Sequence, residues 1–249
     1  MRFSRPLFIL SLFLVSCSHS FIVSKHDTKE YVFSDSTQSV IDSSIDQEIA
    51  PFRQKVKAEM STVLATSTTT LERGNPESKL GDFVADACFI QVQKIENGKF
   101  KPDFAVFNSG GLRRPLPKGD ITRGDIFELM PFENELVVVT LTGDRIEKLI
   151  NFIASKGGAP VSGLRMKIDG VKGVDVFINR QAFDSTKTYQ VLTSDYLANG
   201  GDSFDFFLDA PKENTLLKVR DALIGYLEDQ TRSGKKIDIQ LDQRIENAR

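Results

Sequence analysis

The run Leu136-Val137-Val138-Val139-Thr140-Leu141 leaves this chain little choice of fold class. It is apolar and β-branched, and it is bounded like a strand rather than a helix. Only Thr142 separates it from Gly143 to Ala154, where Ile146, Leu149, Ile150 and Ile153 recur at helical spacing. A strand that passes straight into an amphipathic helix must bury both apolar faces against a shared core.

The same alternation runs along the rest of the chain. Tyr31-Val32-Phe33 reads as a short first strand. From Val40 on, apolar residues at Ile41, Ile45, Ile49, Phe52, Val56 and Met60 fall three and four residues apart, one face of a helix that packs on a core. Pro51 predicts a kink or break near Ala50. Val63 to Ala65 reads as a strand and Ser78 to about Ile95 as a helix. Phe104 to Phe107 is a buried strand, and Thr122 caps a short helix ending near Met130. After the glycine-rich loop Lys156 to Gly163, strands are expected at Leu164 to Asp169, Val174 to Asn179 and Tyr189 to Ser194. A helix from Thr215 to Thr231 closes the chain. The expectation is one mixed α/β domain over about residues 30–245.

The first residues read as an address. Arg2 and Arg5 precede an apolar run from Leu7 to Val15, too short to cross a bilayer. The run ends in Leu14-Val15-Ser16-Cys17, which looks like a bacterial lipobox. On that basis residues 1–17 form a lipoprotein-type signal segment, cleaved before Cys17, whose thiol carries the lipid. An ordinary secretory signal with a chance cysteine is the alternative. Residues 18–28 are polar and read as a tether. The lipid would make the chain an exported, membrane-anchored bacterial lipoprotein, periplasmic or on the cell surface.

Composition narrows function. The formal net charge is −2, without the basic excess of a protein that binds polymeric nucleic acid. Both histidines, His19 and His26, fall near the N-terminus, so the expected domain has none for a His-based triad or a His-rich metal site. Cys88, in Ala85-Asp86-Ala87-Cys88-Phe89, reads as a small buried thiol on a helix.

Three corners stand out. Asn108-Ser109-Gly110-Gly111-Leu112-Arg113-Arg114 joins two glycines, which admit a close-approaching ligand, to an amide and two guanidinium forks. It reads equally as a tight turn with solvated arginines. In Met130-Pro131-Phe132-Glu133-Asn134, Phe132 is either a core plug or a stacking platform. Tyr196-Leu197-Ala198-Asn199-Gly200-Gly201-Asp202-Ser203-Phe204 offers a ring with a polar tip and an acidic acceptor suited to vicinal hydroxyls. A plain Asn-Gly-Gly turn is its alternative. Together the corners suggest a site that sandwiches a flat ring and holds its polar substituents.

Four ordered segments carry a resemblance. They are Pro76 to Ala87 (PESKLGDFVADA), Asn108 to Arg113 (NSGGLR), Gly119 to Val137 (GDITRGDIFELMPFENELV) and Tyr196 to Phe204 (YLANGGDSF). In order and spacing, from about residue 60 to about 208, they resemble the C-terminal domain of bacterial and animal 5′-nucleotidases. That resemblance implies a mixed α/β fold with sheets flanked by helices, and a substrate-specificity domain. It implies that Phe132 and Tyr196 clamp a base, Asp202 takes the ribose hydroxyls, and Asn108 and Arg113 add polar contacts. Tyr196 stands where the family often has Phe. Arg73 lies near the position of a further family arginine.

The family's N-terminal metallophosphoesterase domain holds two metal ions through Asp, Asn and His. The sequence has no D-x-H, GNHE-like or GHxH-like motif. The resemblance therefore implies no catalytic or metal-ligating residue and no cofactor in this chain. Two divalent metals are expected on a separate metallophosphoesterase partner. Nucleotide-catabolic hydrolysis would then be shared between two chains. A stand-alone nucleoside- or nucleotide-binding lipoprotein, and a structural module with a degenerate site, are the alternatives.

Overall fold

The computed structural model describes residues 43–95 and 98–248. The signal segment with Cys17, the tether and the strand at Tyr31 to Phe33 lie outside the described residues. The chain divides into two units, residues 1–48 and 49–249. Of the first, only the opening turns of helix α1 (Ser43–Met60) are described.

Helix α1 runs as one element through Pro51, so of the kink or break expected near Ala50 the break does not occur. Another expectation for this helix fails. Ile49, Phe52 and Val56 are 45, 72 and 56% exposed, so the apolar face is not packed on a core among the described residues. Its periodicity is helical, but periodicity does not say what covers a face.

The centre of the second unit is a five-stranded sheet in the order β10 (Lys212–Lys218), β4 (Glu135–Thr142), β9 (Thr188–Ser194), β2 (Phe104–Val106), β5 (Val161–Ser162). Strand β4 pairs antiparallel with β9 from Leu136↔Ser194 to Thr142↔Thr188, and β2 lies parallel to β9. Successive side chains on a strand point to opposite faces, and here the two faces feed two cores. Ala105, Leu136, Val138 and Leu192 join α2 (Lys79–Val92) and α6 (Val219–Arg232). Phe104, Val106, Val137, Val139 and Val191 join the apolar stripe of α4 (Gly143–Ser155), formed by Ile146, Leu149, Ile150 and Ile153. The mixed α/β class with sheets flanked by helices is therefore the observed one.

Two smaller sheets complete the fold. Strand β1 (Val63–Ser67) pairs antiparallel with β3 (Gly119–Thr122). Strands β6 (Leu164–Asp169), β7 (Lys172–Ile178) and β8 (Gln181–Ala182) form a meander, and β11 (Ile245–Asn247) joins β6 in parallel. Thr122 caps α3 (Arg123–Leu129) as expected, in a reciprocal box with Asp125. The closing helix starts later than expected. Residues 215–218 belong to β10, because Thr215 reaches across to the Leu136 carbonyl at 2.7 Å.

Arg244 ties the C-terminal segment to α2. Its guanidinium lies 2.9 Å from Asp86 and from Asp242, and 3.4 Å from Asp82. Burial pushes the Asp82 carboxyl up to about 8, although the Arg244 charge pulls it down.

Helix α2 buries Cys88 completely, and burial pushes its thiol well above the usual range. In a Cys17→Ser variant, Cys88 should stay unmodified by a thiol reagent in the native protein and react fully in denaturant. Native reaction at the rate of a free thiol would contradict this packing.

Candidate functional site

The site forms where two parallel strands end side by side. Strand β2 leads into Asn108 and a 3-10 turn at Ser109–Gly111, and β9 leads into the short helix α5 (Asp195–Ala198). Loops at adjacent strand ends meet over a rigid sheet, the usual setting for a binding site.

The second corner is built by capping and by backbone that turns left-handed. Ser194 caps α5 by accepting from the Leu197 amide at 3.3 Å. Gly200 then takes φ 86°, and the chain continues with Asp202 at φ 52°, ψ 28°. That conformation costs a residue with a Cβ about 1–2 kcal/mol, with Asp among the better tolerated types. It directs the Asp202 carboxylate at both neighbours. Tyr196 Oη donates to Asp202 Oδ1 at 2.8 Å, and Asn108 Nδ2 donates to Asp202 Oδ2 at 2.5 Å. Two glycines make room for this. A Cβ on Gly201 would fall 2.5 Å from Tyr196 Cζ, and one on Gly111 would fall 3.0 Å from Asn108 Oδ1.

Tyr196 is 46% exposed, with its ring lying over Gly201. The hydrogen bond to Asp202 raises the phenol above its ordinary pKa. Arg113 donates to the Gly110 carbonyl at 3.3 Å, so it braces the first turn, while Arg114 pairs with Glu128.

Phe132 is 39% exposed rather than a core plug. Asn134, two residues on, shares a shallow groove with Asp195, Tyr196, Asn199 and Gly200, so the Phe132 loop ends at the Tyr196 corner. On the other side of Asp202 lies a cavity of about 410 Å³. Its walls include Asn75, Asn108, Phe152, Lys156, Asp202 and Phe204. Arg73 is exposed and does not line it; Asn75 does.

Sequence reasoning missed the support of the Phe132 loop. Lys218 Nζ reaches Glu133 at 2.5 Å, and Arg220 also pairs with Glu133. The hydrogen bonds from Lys218 and then Arg220 hold the Glu133 carboxyl down to about 2, so it stays ionised far below neutral pH. The signal became visible only with the later helix start. Lys218 and Arg220 sit at the N-terminus of α6, where the helix dipole disfavours cations.

Among the described residues, the carboxylates of Glu77, Asp82 and Asp242 have metal-ligand spacing, and Arg244 already lies against them. None of the three lines the cavity beside Asp202. The chemistry at Asp202 is that of hydrogen-bond acceptance between an aromatic ring and an amide. It fits a ligand with adjacent hydroxyls and a flat ring.

If Asp202 holds the Tyr196 phenol, Asp202→Asn should return that phenol toward its ordinary pKa. Ultraviolet titration, differenced against Tyr196→Phe, checks this. An unchanged Tyr196 titration would mean that the hydrogen bond does not form in solution.

Comparison with known proteins places the chain in a family. The model of the 5′-nucleotidase C-terminal domain matches residues 58–209, more than half of the chain. A 5′-nucleotidase of Vibrio parahaemolyticus is 29% identical over 191 residues, covering 72% of this chain and 33% of that protein. An apyrase of Aedes albopictus is 30% identical over 228 residues, covering 82% of this chain and 39% of that one. The crystal structure of a 5′-nucleotidase precursor from Thermus thermophilus superposes with a TM-score of 0.67 at 27% identity. It covers 81% of this chain and 42% of that one. The chain thus spans a third to two-fifths of these relatives. It belongs to the family of 5′-nucleotidase C-terminal domains.

Proposed function

We propose that this chain is the nucleoside- or nucleotide-binding component of a 5′-nucleotidase-type phosphohydrolase, with hydrolysis supplied by a separate metallophosphoesterase chain. The observation that carries this is the Asp202 carboxylate held between the Tyr196 phenol and the Asn108 amide. In this reading its two oxygens accept from the two ribose hydroxyls. The Tyr196 and Phe132 rings stack on the base, each such contact worth about 1–3 kcal/mol. Asn108 offers its amide to the ligand, and Arg113 keeps the glycine turn in shape.

A dimetal centre supplies an activated water and stabilises in-line displacement at phosphorus. The described residues do not fit such a centre, since the carboxylate group with metal-ligand spacing is committed to Arg244. In this reading the chain's part is to bind and orient. Export and a lipid at Cys17 belong to the same proposal. In support, the Thermus relative is described as a precursor.

Calorimetric titration of the purified chain with adenosine and AMP tests the binding half. Binding should need no divalent metal, and Tyr196→Ala should weaken it by roughly 5- to 160-fold, the loss of one stacked ring. AMP hydrolysis should be negligible for the chain alone and appear on mixing with the phosphoesterase. Robust metal-dependent hydrolysis by the pure chain would contradict the division of labour. Binding without any productive partner would leave a stand-alone capture protein.

A further inference from the structure

Arg220, the second residue of α6, is 7% exposed. A buried guanidinium at a helix N-terminus is opposed both by desolvation and by the helix dipole. Something must offset those costs, and every identified contact lies on residues 127–133. The guanidinium carbon sits 4.2 Å from the Phe127 ring centroid. Nη1 lies 3.4 Å from the Met130 carbonyl oxygen and 3.4 Å from that of Phe132. Nη2 pairs with Glu133, whose other oxygen meets Lys218. The Val219 amide donates to the Asn134 carbonyl at 2.9 Å. The backbone on both sides of Phe132 is therefore gripped by residues 218–220, while the Phe132 ring stays partly open to solvent.

We propose that Arg220, with Glu133 and Lys218, is a positioning residue that fixes the Phe132 ring as a ready-made stacking face and so sets how strongly the chain holds a nucleobase. The proposal rests on the nucleotide-binding reading above. A loop that must be ordered on binding subtracts its ordering cost from affinity, and a loop already held does not. The gripping residues come from β10 and α6, so distant elements of the fold determine base affinity without touching the ligand.

The test is a double-mutant cycle on the full chain, with Arg220→Met and Phe132→Leu. Arg220→Met should weaken adenosine by roughly 5- to 10-fold, within the coupling range of contacting residues. It should change nothing further once Phe132 is Leu. Ribose 5-phosphate, which has no base, should bind Arg220→Met like the wild type. Amide exchange at Val219, whose N–H donates to the Asn134 carbonyl, should speed up. Glu133→Gln alters an exposed side chain and should move the same readouts in the same direction by less, which decides the matter if Arg220→Met does not fold.

Additive losses in the cycle, an equal loss of ribose 5-phosphate, or unchanged exchange at the Val219 amide would overturn the proposal. If the wild type binds no adenosine, the nucleotide-binding reading fails. The exchange measurement then still shows whether Arg220 holds the loop, and unchanged exchange refutes it.

Discussion

The Asp202 carboxylate is the interaction on which the site depends. It joins a tyrosine six residues upstream to an asparagine 94 residues away in sequence. The backbone reaches it only through a left-handed stretch, and that strain is offset by two hydrogen bonds. One of them places a ring, the other fixes the glycine turn after β2. If either were lost, the carboxylate would remain but its aim would not. In the proposed function the ribose hydroxyls compete for the same two oxygens.

The sheet makes that meeting possible. Strands β2 and β9 run parallel and adjacent, so their C-terminal corners emerge together. Both are buried on two faces, against α2 and α6 on one side and α4 on the other. The corners therefore stand on a support that cannot shift without opening two cores. The third loop, with Phe132, leads directly into β4 of the same sheet, and Arg220 and Lys218 brace it from the start of α6.

Much of this was legible from local pattern. The β4 run, the α4 stripe and the Thr122 cap are signals of one segment, and they appear where they were read. The glycine corners were legible because Gly200 takes a left-handed backbone and Gly111 and Gly201 leave no room for a Cβ beside Asn108 and Tyr196. What was not legible depends on distant partners. Thr215, Leu216 and Leu217 suit either a strand or a helix, and they form an irregular stretch between the β4 pairings of Asn214 and Lys218, which delays the helix to Val219. The row Ile49, Phe52 and Val56 has helical spacing, but spacing does not reveal that it is exposed. Arg220 looks like an ordinary helix cation until the Phe132 loop is folded against it. Arg73 stands outside the cavity that Asn75 lines, because the chain has advanced two residues before it reaches the wall.

A crystal structure of the chain soaked with adenosine tests the central claim most directly. The account predicts the base against Tyr196 and Phe132, with the two ribose hydroxyls donating to the oxygens of Asp202. Adenosine bound away from Asp202, or seated with its base in the cavity beside Phe152 and Phe204 instead of on the Tyr196 ring, would contradict it.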